Sequence, residues 1–369
     1  MIVIVGAGPA GLAMAAELAR RNLPHRIIER GQVGESWHHH YDRLRLHTLK
    51  QVSALPYLPM PPDYPNFPSR AQVLAYLQHY ARNFDLRIDE GIDLRRADFV
   101  EGRWILTTSN GQTDASVLVM ATGIWSAPAR PRLPGEERFG GPILHSRDYR
   151  NPEPFCGQRV LVVGAGNSGA EIAVDLAEYG VETSIVVRSG VACVPRPRSA
   201  SAMRAIAWLL RTLPAPLAAR LLRRRDFRHV GLPLPPGSPL THYPVVGYEL
   251  PQAVAAGHIT VYPGIEQLER GAVSFRDGRR APFDAIILAT GYRPALDPVA
   301  HLIDCDARGR PLLDRHWRSL SNPQLVCIGY TYPTTEGWLQ AIGRVVRAAA
   351  QGVAAMFDVQ AAGDREYSR

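Results

Sequence analysis

Met1-Ile2-Val3-Ile4-Val5-Gly6-Ala7-Gly8-Pro9-Ala10-Gly11 opens the chain, and Arg159-Val160-Leu161-Val162-Val163-Gly164-Ala165-Gly166-Asn167-Ser168-Gly169 repeats its pattern 158 residues later. Each is an apolar, largely β-branched run ending in G-x-G-x-x-G, the signature of a strand that turns into a helix around a dinucleotide. Glycine is needed because the turn is tight and because backbone N–H groups have to reach a diphosphate at the positive end of the helix. After the first copy, residues 10–21 have the spacing of an amphipathic helix and Arg26-Ile27-Ile28-Glu29 reads as a second strand, which makes a βαβ unit. Glu29 lies 18 residues past Gly11, close to where an acid grips a ribose 2′-OH. Gly6, Gly8, Pro9, Ala10, Gly11, Glu29 and the adjoining Arg30 are the candidate contacts of this first site.

The second copy follows the same logic, with a strand at 159–163, a helix at 168–179 and a strand at 184–187 that ends in Arg188. An arginine in place of the glutamate suits a 2′-phosphate through charge-assisted hydrogen bonds and favours NADPH over NADH. The candidates are Gly164, Gly166, Asn167, Ser168, Gly169, Arg188 and Ser189. Two short apolar strands run into Ala121-Thr122-Gly123 and Ala289-Thr290-Gly291, and they bracket the second fingerprint. That arrangement predicts one nucleotide domain inserted into another: 1–150 with 284–369 around 151–283, and a helical insert at about 195–250. The fold class is α/β, with two Rossmann-like dinucleotide-binding domains.

With 46% hydrophobic residues and a mean hydropathy of −0.12, the chain has the composition of an ordinary globular protein with a sizeable core. A fingerprint beginning at Gly6 leaves no room ahead of it for a signal or transit peptide, and no apolar run is long enough to span a bilayer, so a cytoplasmic protein is expected. Cys156, Cys193, Cys305 and Cys327 form no C-x-x-C pair, which reads as reduced thiols. The net charge is +8, and residues 195–230 hold nine arginines against the single acid Asp226, enough to account for all of it. Lys50 is the one lysine among 42 basic residues, and no nucleic-acid recognition motif accompanies the patch, so nucleic acid is not an expected partner.

Residues 56–68 carry six prolines and read as extended, followed by a helix at 71–83. Residues 199–225 read as two short helices broken at Pro214 and Pro216, with Met203, Ile206, Trp208, Leu210, Leu217, Leu221 and Leu222 apolar. A packed cap with a solvated basic face is the plain reading; a substrate entrance or a membrane-surface element are the others. In Gly34-Glu35-Ser36-Trp37, the Ser36 and Trp37 side chains follow a glycine loop and are placed to close over a ring cofactor. His38-His39-His40 point in different directions along an extended chain and do not converge on one ion, so no metal is expected. His47-Thr48 are the catalytic candidates, since histidine can donate to a ring carbonyl near neutral pH, and a satisfied structural histidine is the alternative. A strand at 325–328 precedes a helix at 336–350 with Thr334 or Thr335 as N-cap.

The stretch Phe139-Gly140-Gly141-Pro142-Ile143-Leu144-His145-Ser146-Arg147-Asp148-Tyr149 fits F-x-G-x-x-x-H-x-x-x-Y. With the two fingerprints, it makes the chain resemble the flavin-containing monooxygenase family. Tyr41-Asp42-Arg43-Leu44-Arg45-Leu46-His47, Gly164-Ala165-Gly166-Asn167-Ser168-Gly169 and Phe283-Asp284-Ala285-Ile286-Ile287-Leu288-Ala289-Thr290-Gly291-Tyr292 direct the resemblance to the YUCCA-type branch. The resemblance implies FAD at the first site and NADPH at the second. It also implies a structural role for His145, cofactor contacts from Ala121, Thr122, Gly123 and Gly291, and contacts to flavin from Leu339 and Gln340. Where many members of the family carry an asparagine, this chain has His47.

The implied reaction is hydride transfer from NADPH to FAD, oxygen attack at flavin C4a, and insertion of one oxygen atom into a small organic substrate. Oxidative decarboxylation of a 2-oxo acid such as indole-3-pyruvate is the variant the branch suggests. A flavin reductase or oxidase without oxygen insertion, and a non-catalytic nucleotide-binding module, are the competing readings. The expected partners are a small molecule and O2, with no membrane; oligomeric state stays open.

Overall fold

The computed structural model describes residues 1–221, 225–238, 243–330 and 338–366. The chain divides into two compact units: Met1–His38, Leu49–Ala127 and Tyr292–Arg369 form the first, His39–Thr48 and Pro128–Gly291 the second. Each is built on a five-stranded parallel sheet, as the fold class requires.

In the first unit the strand Ile2–Val5 is wholly buried and lies at the sheet centre, between His25–Glu29 and Val117–Met120. Ile88–Glu90 and Leu325–Cys327 complete the edges. A central parallel strand is covered on both faces, which is why these strands are continuous apolar runs rather than alternating ones. The helix Pro9–Ala19 starts with proline in its first turn, where a missing N–H costs nothing. The expected helix at 71–83 is Arg70–Asn83, with Ser69 and Gln72 forming a reciprocal capping box.

The second unit repeats four strands of this arrangement and takes its fifth from ahead of them in the chain. Arg159–Val163 is central, flanked by Glu182–Val186 and then Ile259–Tyr262 on one side, and by Ala285–Leu288 and then Ile143–His145 on the other. The pairing of Ile143–His145 with Ala285–Leu288 moves the chain crossing expected near 150 back to Ala127/Pro128, and the return falls at Gly291/Tyr292 rather than 284. Residues 39–48, expected with the first domain, group with the second. Each unit also holds a three-stranded antiparallel meander just before its A-T-G strand: Leu94–Val100, Arg103–Thr108 and Gly111–Ala115 in one, Ile265–Glu269, Ala272–Phe275 and Arg280–Pro282 in the other.

The insert contains helices Ala200–Thr212 and Ala215–Leu221, broken at the prolines as expected. Ile206, Trp208 and Leu217 are exposed while Ala207 and Ala218 are buried. Leu222, Thr334, Thr335 and Glu336 lie outside the described residues; the C-terminal helix is described from Trp338 and runs to Glu366, well past the expected end at 350. It continues through Gly352 because that glycine packs against His316, where an added Cβ would sit 3.0 Å from the His316 Cβ.

The proline-rich stretch has no ladder to join, so side chains take its carbonyls. The Lys50 ammonium donates to Pro61, Pro62 and Tyr64, Tyr76 donates to the Leu58 carbonyl at 2.7 Å, and Tyr80 to that of Pro56 at 2.9 Å. Lys50→Met is expected to lower stability by about 1–3 kcal/mol, because it removes a charged donor from partly buried carbonyls. A thermal melt against Tyr64→Phe, which leaves the Tyr64 carbonyl in place, checks this: equal midpoints for Lys50→Met and wild type would refute the clamp.

Candidate functional site

Two glycine loops with the same stereochemistry form the core of the site residues. In the first, Gly6 has φ 109°, and an added Cβ would stand 2.8 Å from the Ala121 carbonyl oxygen. A Cβ on Gly11 would fall 1.9 Å from the Gly6 carbonyl oxygen, inside any allowed contact. In the second, Gly164 has φ 107° and meets the Ala289 oxygen at 2.5 Å, and Gly169 meets Gly164 at 1.9 Å. The middle glycines differ in kind: nothing lies within 4 Å of a Cβ built on Gly8 or Gly166. Outer glycines are demanded by the chain's own packing, and the middle one opens onto free space.

Helices Pro9–Ala19 and Asn167–Glu178 begin at these loops with no side-chain cap and no acid in the first turn. Their leading N–H groups and the positive end of each helix dipole are left for an anion. Around the first loop, Gly34 N–H donates to the Ala7 carbonyl at 3.1 Å, which brings the short helix Glu35–His38, with Ser36 and Trp37, to the turn. Glu29 is 8% exposed, and its two carboxylate oxygens accept from Ala7 N–H at 2.7 Å and Gly31 N–H at 3.0 Å. Burial pushes its pKa up, opposed by those two N–H groups and by Arg30. Arg30 itself is exposed and reaches the Ser126 carbonyl.

The A-T-G strand ends line the other side of each loop. Thr122 spends its hydroxyl on the Ala295 carbonyl and on Tyr330 at 2.6 Å, and its carbonyl accepts from the Ser126 hydroxyl at 2.7 Å. Gly123 and Gly291 both have positive φ with open space around them. The Gly291 carbonyl accepts from Ala129 N–H at 2.9 Å and from His145 Nε2 at 3.0 Å, while His145 Nδ1 accepts from Arg147 N–H at 3.1 Å. His145 is 3% exposed, and burial lowers its pKa, which suits the structural role implied for it. Leu339 is buried and Gln340 half-buried in the first turn of the C-terminal helix of the first unit.

In the second unit Asn167 does not offer its side chain to a ligand. Its Nδ2 donates to the Pro244 carbonyl at 3.0 Å and its Oδ1 accepts from Val246 N–H at 2.9 Å, so it ties the insert to the loop. Arg188, just past the strand Glu182–Val186, is exposed beside the exposed Ser189 and has no ion pair among the described residues. His47 and Thr48 belong to this unit rather than to the flavin-side residues expected around them. His47 Nε2 lies 2.6 Å from Glu171 Oε1, and Tyr41 donates to the other oxygen of the same carboxylate at 2.6 Å. Glu171, Tyr41 and Asp175 were not among the expected site residues. The signal was there: Glu171, Asp175 and Glu178 recur at helical spacing along one face of a nucleotide-binding helix. Among the described residues, no three His, Cys, Asp or Glu side chains gather in a way that holds a metal ion.

Residues 3–202 match the family described as "Pyridine nucleotide-disulphide oxidoreductase". The rice (Oryza sativa subsp. japonica) indole-3-pyruvate monooxygenase YUCCA1 is 38% identical, with 79% of this chain and 76% of that protein covered. YUCCA8 of Oryza sativa subsp. indica is 36% identical over 94% of this chain and 89% of its own. A solved flavin-containing monooxygenase from Stenotrophomonas maltophilia superposes with a TM-score of 0.75 at 26% identity, covering 96% of this chain and 98% of that one. The chain belongs to the flavin-containing monooxygenase family. As a member it is an oxidoreductase that works with FAD and NADPH. Cys156 and Cys305 are exposed and Cys193 and Cys327 buried, each as a free thiol.

The loops fit the two nucleotides: open middle glycines, uncapped helix starts and, in the second unit, an unpaired guanidinium. Glu29→Gln is expected to cost about 1–3 kcal/mol, since an amide can accept from only one of the two N–H groups and turns its own N–H2 towards the other. Urea unfolding of the flavin-free protein measures it; an unchanged midpoint would show that Glu29 is not holding the loop.

Proposed function

We propose that this chain is an NADPH-consuming monooxygenase of a small 2-oxo acid with an aromatic side chain, of the indole-3-pyruvate kind. The observation that carries the reading is identity of 36–38% to named indole-3-pyruvate monooxygenases over 79–94% of this chain. In balance, one 2-oxo acid, O2, NADPH and a proton give the shortened carboxylic acid, CO2, NADP⁺ and water. FAD, when bound, supplies the two-electron and oxygen chemistry that amino-acid side chains lack.

The chain's own residues supply binding and order. In the first unit, Gly6, Gly8, Pro9, Ala10 and Gly11 take the FAD diphosphate on backbone N–H groups, and Glu29 takes the ribose. Arg30, Ser36, Trp37, Ala121, Thr122, Gly123, Leu339 and Gln340 complete that site. In the second unit, Gly164, Gly166, Ser168, Gly169 and the backbone of Asn167 take the NADPH diphosphate, Arg188 and Ser189 the 2′-phosphate, and Gly291 the far wall. His47 and Thr48 act beside that second site. The division into an FAD unit and an inserted NADPH unit follows from Glu29 in one and Arg188 in the other. No helix among the described residues is long and apolar enough to cross a membrane, which supports a cytoplasmic enzyme.

Arg188→Ala is expected to raise KM for NADPH about tenfold or more and to leave KM for NADH within about twofold, since only the 2′-phosphate loses its partner. Equal effects on both would remove the phosphate assignment. Product analysis with indole-3-pyruvate should give the shortened acid and CO2 in step with NADPH use. NADPH oxidation that yields only hydrogen peroxide across a panel of 2-oxo acids, amines and sulfides would leave an oxidase or reductase instead.

A further inference from the structure

The insert is closed at its neck by a two-stranded parallel pair, Cys193–Val194 with Val245–Val246. Val245 N–H donates to the Ala192 carbonyl and Gly247 N–H to that of Val194, both at 2.8 Å. Alternate peptide groups of a strand face opposite edges, so the Pro244 carbonyl and the Val246 N–H point away from that partner. The amide of Asn167 meets both: Nδ2 donates to the carbonyl at 3.0 Å and Oδ1 accepts from the N–H at 2.9 Å. One side chain stands in for the peptide group of a third strand.

The place of this asparagine gives the contact a consequence. Asn167 is the first residue of the helix Asn167–Glu178, next to the open middle glycine Gly166, and the helix has no side-chain cap. An asparagine in such a place ordinarily bonds its own or neighbouring backbone N–H groups. Those are the N–H groups that a diphosphate needs. An amide oxygen resting on them would be a competitor of the anion carried by the loop itself. In the first unit Pro9 follows Gly8 at the matching position, and its ring has no acceptor to be held away. The second loop therefore has a requirement that the first lacks, and the neck of the insert meets it.

Resting on the reading of the second unit as the NADPH site, the geometry points to Asn167 as a positioning residue that couples the nucleotide to the insert. With Oδ1 bound to Val246, the loop N–H groups are clear for the diphosphate; with Oδ1 released, it turns back onto them. Coupling of this kind is reciprocal, so a nucleotide on the loop keeps the amide turned outward and tightens residues 244–246. The neck itself does not depend on the amide, since its own ladder and the Arg196–Glu249 pair at 2.9 Å also hold it. The Asn167 side chain touches no ligand.

The test titrates the FAD-loaded protein with NADP⁺ at equilibrium and follows amide hydrogen exchange at Val246. Val246→Pro removes the N–H that holds Oδ1. That N–H takes no part in the ladder to Cys193–Val194, and proline is tolerated where a strand N–H faces away from its partner. The variant should weaken NADP⁺ about fivefold, the effect of one neutral hydrogen bond made against the ligand. Adding Asn167→Ala to Val246→Pro should restore affinity to within about twofold of wild type, because the competing oxygen is gone. A variant that had simply lost its fold would not be rescued by a second deletion at the same contact. In wild type, NADP⁺ should slow exchange of the Val246 amide about fivefold; in Asn167→Ala that amide should exchange quickly with or without the nucleotide. Additive losses in the double variant, or a Val246 amide in wild type that is indifferent to bound NADP⁺, would overturn the proposal and leave Asn167 a structural tie. A wild type that fails to bind NADP⁺ would overturn the NADPH reading and this proposal with it, whereas binding without rescue would overturn the proposal alone.

Discussion

Everything in this molecule hangs on a contact that exists twice: the last glycine of each fingerprint passes so close to the carbonyl of the first that a methyl group would lie 1.9 Å from it. That approach packs the helix start onto the strand end. It can be made only if the first glycine adopts positive φ, which in turn presses it against an alanine carbonyl, of Ala121 in one unit and Ala289 in the other. Two segments far apart in sequence are thereby locked at one point, and the cost of tolerating no side chain there is the reason the loop is smooth. Binding and packing are satisfied by the same atoms.

The two units use this joint differently. In the first, the carboxylate that ends the second strand is buried and turned inward, each oxygen on a backbone N–H of the loop region. Such a group presents a rigid, negatively polarised edge that receives hydroxyls and repels phosphate. In the second, the register puts Val187 where the first unit has Glu29, and Arg188, exposed and without an ion pair among the described residues, follows it as Arg30 follows Glu29. The two strand ends differ in one buried side chain, a carboxylate at Glu29 and an apolar group at Val187, while each carries an exposed arginine one residue on. The second unit adds an acidic face to its helix, which holds the segment 41–47 by Tyr41, Arg43 and His47; the first unit has nothing of the kind on its own helix, whose face carries the single acid Glu17, bound to Arg21 and Tyr57.

How much of this was legible in the chain depended on whether the information was local. Glycine spacing, β-branched strands and the A-T-G repeats are local signals, and from them came the strand centres, both helices and the α/β class. The two meanders were not seen, because Leu94–Val100 and its neighbours alternate weakly and carry charges on both sides of their turns; what holds them is pairing with one another, not pattern. The membership of residues 39–48 was likewise hidden, since it rests on Tyr41 and His47 reaching a carboxylate more than 120 positions away. The boundary near 150 was misplaced for the same reason: a three-residue strand, Ile143–His145, is set by its partner Ala285–Leu288 and not by its own composition.

The site residues divide along the same line. Gly6, Gly11, Gly164 and Gly169 could be named from motif alone, because the requirement for no side chain is written in the residue type. Side-chain roles were less secure: Asn167 sits inside the motif yet its amide is consumed by Pro244 and Val246, and Thr122 is consumed by Ala295 and Tyr330. A polar side chain next to a phosphate loop has a backbone to satisfy as well as a ligand, and in a closely packed joint the backbone is nearer. The same reasoning explains why substrate choice is the least legible property of all. Cofactor binding reuses backbone geometry that motifs can encode, whereas a pocket for one small organic acid is assembled from side chains on loops and on the insert, each free to vary as long as the two glycine joints are kept.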